Sequence, residues 1–458
     1  MFGVALEKQL KEVYKSRFDK RGDDRLRIVL DLPIVRMNSY HFGEAARIQD
    51  MTDLIREIGS DSSWSVSPKG FFASKSFDGK ETKIGSDFRS SVIEVRLPLA
   101  AKLYESEKML VEVWNHIARA SEKAKVATLA YGSQPVSKAD NSLIIRNCKN
   151  YVLSSKLNDR FCYLGLIASE KVHVRTNAEE MPIVNNVLNF YSPAIISLTA
   201  NSGIIKGRGV GFADYRGIVT DMVDFHGKEK RKANESRRGI MQPISSVEEY
   251  VDIMLNVTPL YTVREGRVVS FNGIGKFKEF INNGSTEVVF VDSNERMKTS
   301  PIISPEPIDF FYHERTCWTD ARPRGRHGTV ELTSVSMQSS VKEIVAVEAL
   351  VLGLAANARE AWDDIQRYDR AYLSSLRREA MENGVSLGRL GYRGVVTLES
   401  IMLDYASRGL EMIGEDTKYL NPLRRNLDEA KSPARRSLDY LSKKGMKAFI
   451  EAVRIKEE

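Results

Sequence analysis

The order of strand-like and helix-like segments is the feature of this sequence that most restricts its fold. Period-two patterns typical of strands, such as Leu26–Arg36 and Glu170–Thr176, lie in the first three-quarters of the chain. From Val341 the pattern is helical almost to the end. Strict strand–helix alternation, which builds parallel sheets, is missing. The sequence therefore predicts an α+β fold: a mostly antiparallel sheet covered by helices, with a helical C-terminal third.

The same layout predicts the domain organisation. We expect residues 1–340 to form a sheet-containing region with a loop-rich insert near 207–300, and residues 341–458 to form a helical region packed on it. A chain of 458 residues, 42% apolar and 28% charged, has the composition of a globular protein and can bury a large core. We expect the two regions to form one integrated domain.

Charge, hydropathy and cysteine usage exclude several classes of protein. A net charge of +7 is mild for this length, and the basic run His226–Arg238 lacks interleaved aromatic residues, so we expect a solvated loop and no nucleic-acid partner. No apolar run approaches the ~20 residues that cross a bilayer. Cys148, Cys162 and Cys317 form no CxxC pair, which argues against a disulfide framework or a zinc knuckle. A cytoplasmic protein without a membrane partner is expected.

Three strand-like runs each carry a single carboxylate. Asp31 lies in the apolar run IVLDLPIV, Glu94 in SVIEVRLP and Glu331 in TVELTSVS. An unpaired charge inside an apolar strand is costly, and a cation is the usual remedy. Mg²⁺ prefers such oxygen ligands. The three carboxylates are therefore candidate metal ligands, and structural salt bridges to arginines such as Arg96 are the alternative.

Cationic side chains accompany these strands. Residues two apart on a strand share a face, so Lys171, His173 and Arg175 form a cationic stripe that suits an anion. A second cluster, RPRGRH, comes directly before the strand of Glu331 and contributes Arg322, Arg324 and Arg326. Guanidinium groups beside a magnesium site stabilise phosphate charge in phosphoryl transfer.

A glycine-rich stretch, Ala200–Gly217, adds further candidates for phosphate binding. Its glycines let backbone amides approach a phosphate, and its cations are Lys206, Arg208 and Arg216. It matches neither a Walker loop nor GxGxxG. A mobile surface loop would have a similar composition.

Three runs, in this order, resemble the glutamate-cysteine ligase family in its carboxylate-amine ligase branch, which is similar in fold to glutamine synthetase. They are Tyr191–Gly217, Ser304–Gln338 and Tyr419–Leu441. The resemblance extends from about Leu26 to about Leu441 and includes AYGSQPV and the strand KVHVRT. Their shared order, more than any single motif, carries the resemblance.

The resemblance implies an ATP- and Mg²⁺-dependent ligase. In that family ATP phosphorylates a substrate carboxylate, typically that of glutamate, and an amine attacks the acyl phosphate to form an amide. Small-molecule carboxylates and amines are the expected partners, and self-association through the C-terminal helices stays open. The expected site residues are Asp31, Glu94 and Glu331 for metal, Arg216, Arg322 and His173 for catalysis, and Lys206, Arg208, Arg324 and Arg326 for the nucleotide.

The sequence also departs from the family pattern. Val29 stands where the family has the first carboxylate of Glu-x-Glu, and Lys171 takes the first position of the histidine-rich strand. Thr333 and Ser336 replace an expected Arg and Asp. Three hypotheses follow: a ligase with altered substrates, a catalytically weakened relative that acts in binding or assembly, and a phosphotransferase that uses the same site.

Overall fold

The structure is a computed structural model. It describes residues 2–18, 22–77, 79–224, 237–265, 267–271, 274–283, 286–291, 297–365, 369–385, 391–392 and 396–458. Most of the basic run expected to be a solvated loop, residues 226–236, lies outside this description.

The strands form one large sheet and four small ones. They are β1 (Leu26–Arg36), β2 (Ser65–Val66), β3 (Phe72–Phe77), β4 (Lys80–Ser86), β5 (Val92–Arg96), β6 (Val126–Thr128), β7 (Ser169–Arg175), β8 (Ile204–Ile205), β9 (Arg208–Gly209), β10 (Arg238–Gly239), β11 (Tyr261–Arg264), β12 (Arg267–Ser270), β13 (Thr286–Val291), β14 (Met297–Ile303), β15 (Trp318–Thr319), β16 (Ala321–Arg324), β17 (Thr329–Ser336), β18 (Gly391–Tyr392) and β19 (Val396–Thr397).

The large sheet has the order β2-β3-β4-β5-β1-β7-β17-β16, and β6 pairs with the end of β1. Every one of these pairs is antiparallel. The predicted α+β class and antiparallel sheet are thus confirmed. Strands β11 to β14 form a separate four-stranded sheet within the segment expected to be loop-rich.

Helices occur along the whole described chain: ten precede residue 341, and the described part after it is helical apart from short connections and strands β18 and β19. They are α1 (Phe2–Ser16), α2 (Ile48–Ile58), α3 (Leu103–Lys123), α4 (Cys148–Lys156), α5 (Met181–Phe190), α6 (Ser192–Thr199), α7 (Tyr215–Met222), α8 (Val247–Leu255), α9 (Phe277–Asn283), α10 (Pro307–Glu314), α11 (Val341–Ala356), α12 (Ala358–Ile365), α13 (Arg370–Asn383), α14 (Leu398–Met412), α15 (Asn421–Asp428) and α16 (Pro433–Val453). Helix α5 ends at Phe190 and α6 begins at Ser192, so the two are separated at Tyr191.

Strand β1 explains how the sheet separates a core from a site. Its even-numbered residues from Ile28 to Ile34 are buried in the main hydrophobic core, on the face where α3, α5 and α11 pack. Arg27, Val29 and Asp31 alternate with them and line a cavity instead. The strand therefore presents apolar residues to the core and the charged residues Arg27 and Asp31 to the cavity.

Helix α11 anchors the C-terminal helical region to the sheet. It is apolar on nearly all sides, which is typical of a helix buried within a core, and it packs against β7, α3 and α14. The boundary expected at residue 340 stays a prediction, as does the integration of the two regions. In the described part of the chain, no helix combines the length and apolarity that crossing a membrane requires.

Candidate active site

A cavity of about 450 Å³ lies on the face of the large sheet opposite the helical core. Its floor is formed by β1, β5, β7, β16 and β17, and its walls come from α4, α7, β11 and the segment after α10. Eight of the ten predicted site residues line it: Asp31, Glu94, His173, Arg216, Arg322, Arg324, Arg326 and Glu331. The sheet thus brings together residues from five separate parts of the chain.

The strand register sets which of these side chains are neighbours. One row across four strands joins Arg27 of β1, His173 of β7, Glu331 of β17 and Arg322 of β16, each the direct partner of the next. The alternation that faces Asp31 into the cavity places these residues on the same side. This row forms the cationic end of the site.

The acidic end of the site lies four residues further along β1, beyond the row that pairs Val29 with Lys171 and Arg96. Asp31 and Glu94 are direct partners across β1 and β5. Together with Asp87 they form a group whose carboxylate oxygens lie within 4.8 Å of one another. Glu331, the third predicted metal ligand, is not a member of this group.

Protein cations surround Asp31. Its Oδ1 accepts from Arg89 Nη2 at 2.8 Å and from Lys171 Nζ at 3.0 Å, and its Oδ2 accepts from Ser169 Oγ at 2.6 Å. Burial alone would raise the pKa of Asp31, but the charges of Arg89 and Lys171 lower it to about 2. Asp31 is thus ionised, and both of its carboxylate oxygens accept hydrogen bonds.

Glu331 is likewise paired with cationic side chains of the protein, at the cationic end of the site. Its Oε2 accepts from Arg322 Nε at 2.8 Å and lies 3.4 Å from Arg324 Nε, while Oε1 lies 3.4 Å from His173 Nε2. Burial would raise the pKa of Glu331, but Arg322 and Arg324 hold it well below its usual range. This carboxylate therefore orients two arginines and a histidine.

Both cavity histidines favour the neutral form. Burial lowers the pKa of His173 well below its usual value, even though Glu331 acts in the opposite direction. His327 is exposed as a whole residue, but partial burial of its ring and the charges of Arg324 and Arg27 lower its pKa to about 3. The two rings meet edge to face, with centroids 5.9 Å apart.

Among the described residues that line the cavity, cations outnumber acids, with ten arginines and two lysines against five carboxylates. Arg27 and Arg315 have no carboxylate within salt-bridge distance among the described residues. Burial lowers the pKa of both guanidinium groups, and the attraction of Glu94 and Glu331 does not offset this effect for Arg27. The cavity therefore suits a ligand with several negative charges.

Arg216 reaches the cavity from the first turn of α7. Its Nη1 donates to the Thr333 carbonyl at 3.0 Å, and its backbone N–H donates to Ser202 Oγ at 3.0 Å. Lys206 and Arg208 belong to the β8–β9 hairpin, are exposed and do not line the cavity. Their predicted role in nucleotide binding stays a prediction.

Sequence reasoning missed several residues that line the cavity. Arg27 could have been found, because it lies two residues before Val29 on the face that carries Asp31. Asp87 and Arg89 precede β5 in an irregular segment, and no local pattern points to them. They are joined by hydrogen bonds from Arg89 Nε and Nη2 to the Asp87 carboxylate at 3.0 and 2.7 Å.

The carboxylates do not fit a divalent metal ion in this arrangement. All three predicted ligands accept hydrogen bonds from cationic side chains, and Glu94 is held by Arg96 and Lys171. Mg²⁺ demands near-ideal octahedral coordination by oxygen atoms. Here the carboxylate oxygens are instead paired with cationic side chains of the protein.

Comparison with known proteins places the chain in a family. The glutamate-cysteine ligase family 2 (GCS2) matches residues 44–453. A protein of Salinispora tropica named "Putative glutamate--cysteine ligase 2" is 26% identical over 133 residues, which are 29% of this chain and 35% of the relative. "Putative glutamate--cysteine ligase 2-3" of Rubrobacter xylanophilus is 22% identical over 281 residues, 61% of each chain. The matches thus span about one-third and three-fifths of these relatives.

Solved structures share the fold at low sequence identity. A bifunctional glutathione synthetase from Pasteurella multocida superposes with a TM-score of 0.51 and 12% identity, covering 98% of this chain and 52% of that one. A glutamate–cysteine ligase from Francisella tularensis in complex with AMP superposes with a TM-score of 0.50 and 12% identity, covering 94% and 87%. Since the family match spans most of the sequence and confirms the resemblance, this chain belongs to the glutamate-cysteine ligase family 2.

Proposed function

We propose that this chain is an ATP-dependent ligase that joins a carboxylate to an amine in the cavity above the sheet. Membership of the glutamate-cysteine ligase family 2 supports the reaction type. The observation that carries the proposal is that two guanidinium groups lining the cavity, Arg27 and Arg315, have no carboxylate within salt-bridge distance among the described residues. AMP in the Francisella tularensis protein supports a nucleotide as the anion.

Electrostatics favour a polyphosphate in this cavity. A desolvated guanidinium group is costly unless an anion compensates it. Arginine also binds phosphate oxygens through two parallel N–H donors, a geometry that lysine cannot provide. A triphosphate carries enough charge to compensate both groups at once.

The proposed reaction has two steps. A carboxylate oxygen of the substrate attacks the γ-phosphorus of ATP, the bond to the β,γ-bridging oxygen breaks, and ADP leaves. The amine nitrogen then attacks the acyl carbon, the carbon–oxygen bond to phosphate breaks, and phosphate leaves as the amine loses a proton. Arg322 and Arg324, held by Glu331, are positioned to stabilise charge on the transferred phosphoryl group.

His327 is the candidate acceptor for the amine proton. Its ring lines the cavity beside the proposed phosphate-binding arginines. The low pKa that Arg324 and Arg27 help to impose keeps it unprotonated at neutral pH. Because a general base works best with a pKa near the operating pH, this role requires the negative charge of bound phosphate to raise the pKa of His327.

The ion pairs around the carboxylates favour a second candidate, a family member that binds nucleotide without turnover. Asp31, Glu94 and Glu331 each form an ion pair with a cationic side chain of the protein. The expected use of Mg²⁺ therefore remains a proposal to be tested.

A phosphotransferase would release ADP with a stable phosphorylated product instead of phosphate.

The deciding experiment measures ADP and phosphate release from ATP by the purified protein, with amino acids added singly and in pairs, with and without Mg²⁺. Release of both products that needs a carboxylate donor and an amine establishes the ligase. ADP release without phosphate identifies the phosphotransferase. Nucleotide binding without turnover under every condition supports the second candidate.

Three arginine variants locate the nucleotide. We expect Arg27→Met and Arg315→Met each to weaken ATP binding, on the order of ten-fold or more, because each removes a charge-assisted contact. Arg208→Met is the matched comparison, since Arg208 is exposed on β9 outside the cavity. A loss confined to Arg208→Met would instead place the nucleotide over the β8–β9 hairpin, which carries two of the four predicted nucleotide-binding residues, Lys206 and Arg208.

A further inference from the structure

Lys171 occupies the position between the two carboxylates that a metal ion would take. Its Nζ lies 3.0 Å from Asp31 Oδ1 and 3.3 Å from Glu94 Oε2. Its side chain is only 20% exposed, so water contributes little to its coordination. One ammonium group thus bridges two carboxylates from different strands.

The strand pairing explains why a cation is needed at this point. Asp31 and Glu94 are direct partners across the antiparallel pair of β1 and β5. Like charges directly opposite each other destabilise a sheet. Since the Asp31 side chain is only 2% exposed, solvent cannot screen the repulsion. A positive charge held between them removes this penalty.

Lys171 also completes the charge balance of the cluster. The three carboxylates Asp31, Asp87 and Glu94 lie together. Arg89 pairs with Asp31 and Asp87, and Arg96 pairs with Glu94. With Lys171 as the third cation, the cluster carries no net charge. A neutral cluster has no long-range attraction for a divalent cation.

The position of Lys171 in the sheet lets its ammonium reach both acids. It lies on β7, and its direct partner on β1 is Val29. β1 separates β7 from β5, so the lysine side chain must extend across β1 to reach Glu94. The flexible four-carbon stem of lysine suits this reach.

We infer that the Lys171 ammonium is the resident cation of the Asp31–Glu94 pair and excludes divalent metal ions from it. Lys171 is a positioning residue that fixes both carboxylates. The arginines of the cavity then compensate the phosphate charge of the proposed nucleotide. The inference concerns the site of the proposed ligase, but it does not require turnover.

The test measures Mn²⁺ binding to the full chain by electron paramagnetic resonance, without nucleotide. We expect wild type and Lys171→Arg to bind no Mn²⁺ at this pair. We expect Lys171→Met to bind one Mn²⁺ per chain at concentrations on the order of ten-fold or more below any at which wild type binds the ion here, because a full positive charge is removed from the cluster. Adding Glu94→Gln to Lys171→Met should abolish the new site.

Two results would overturn the inference. Wild-type protein that binds a Mn²⁺ ion lost in Glu94→Gln would show that Lys171 does not exclude metal. A folded Lys171→Met variant that binds no Mn²⁺ would show that the two carboxylates do not form a cation site once the lysine charge is removed. Circular dichroism checks folding, and Lys171→Gln replaces the methionine variant if that one unfolds. Because turnover is not measured, failure here is distinguishable from failure of the proposed ligase.

Discussion

Arg322 Nε donates a hydrogen bond to Glu331 Oε2 at 2.8 Å, and the two residues are direct partners across the β16–β17 hairpin. The arginine cluster that precedes Glu331 in sequence is therefore folded back onto it. Both side chains are buried. The carboxylate compensates the guanidinium charge and fixes its direction toward the cavity.

We expect Glu331→Gln to lower both stability and activity. Removing one partner of a buried ion pair leaves an uncompensated charge, so the free energy of unfolding should fall by about 3 kcal/mol. Urea unfolding measures this loss. In the proposed ligase, kcat should fall as well, since Arg322 and Arg324 lose their common anchor.

A double-mutant cycle with Arg322→Met separates pairing from packing. If the two residues act through their ion pair, the double variant should be less destabilised than the sum of the single variants. Additive losses would contradict a direct coupling.

A second ion pair ties the C-terminal helices to the site. Arg377 of α13 donates from Nε and Nη2 to the Asp320 carboxylate at 2.5 and 2.9 Å, next to β16. Both side chains are buried. We expect Arg377→Met to lower the free energy of unfolding by about 3–5 kcal/mol, because Asp320 would lose its bidentate partner. Urea unfolding measures this effect.

Arg378→Met is the matched control for Arg377. Arg378 is the next residue of α13 and pairs with Glu382 on the surface, with 71% of its side chain exposed. Exposed pairs contribute little. Equal losses in the two variants would contradict a specific role for the buried pair.

His313 should make stability depend on pH. Burial and the charge of Arg237 lower its pKa to about 3, whereas an unfolded histidine titrates near about 6.5. Below the unfolded pKa, the unfolded chain gains a proton that the folded chain does not gain until about pH 3. This contribution to stability therefore falls as pH decreases across that window, by about 1.4 kcal/mol per pH unit.

His313→Gln tests this dependence. His313 Nε2 donates to the Met254 carbonyl at 2.9 Å, and a glutamine amide can replace that donor without titrating. We expect the stability advantage of wild type over the variant to shrink as pH is lowered from 7 to 4, measured by urea unfolding at each pH. A constant difference would show that His313 does not remain neutral in the folded state.

Two glycines set the crossing of α11 and α14. A Cβ atom on Gly353 would lie well inside van der Waals distance of the Ala406 carbonyl oxygen, and one on Gly409 would collide with the Gly353 carbonyl oxygen. We expect Gly353→Ala and Gly409→Ala each to lower the free energy of unfolding by about 3 kcal/mol, because neither obstructing atom belongs to a movable side chain. Thermal unfolding measures these losses.

Gly275→Ala serves as the comparison for these two variants. Its added Cβ would meet Glu279 side-chain oxygens at 3.5 Å, an ordinary contact. A comparable loss in Gly275→Ala would show that close helix packing is not the cause.

The sequence by itself determined the strands that carry Asp31, Glu94, His173 and Glu331, and which residues of each strand share a face. Strand β1 runs from Leu26 to Arg36 as predicted, and Asp31 faces the site with Val29 and Arg27. Glu94, His173 and Glu331 face the cavity as well. These features follow from local periodicity, because side chains alternate across a strand whatever its neighbours are.

Only the tertiary structure decided which charged groups meet. The strand order places Lys171 between Asp31 and Glu94 and leaves Glu331 with Arg322 and Arg324. An irregular segment before β5 brings Arg89 to Asp31. Pairing across a sheet depends on strand order and register between segments far apart in sequence. Local sequence patterns do not specify that register. The sequence therefore predicted the carboxylates but not the cationic side chains that pair with them.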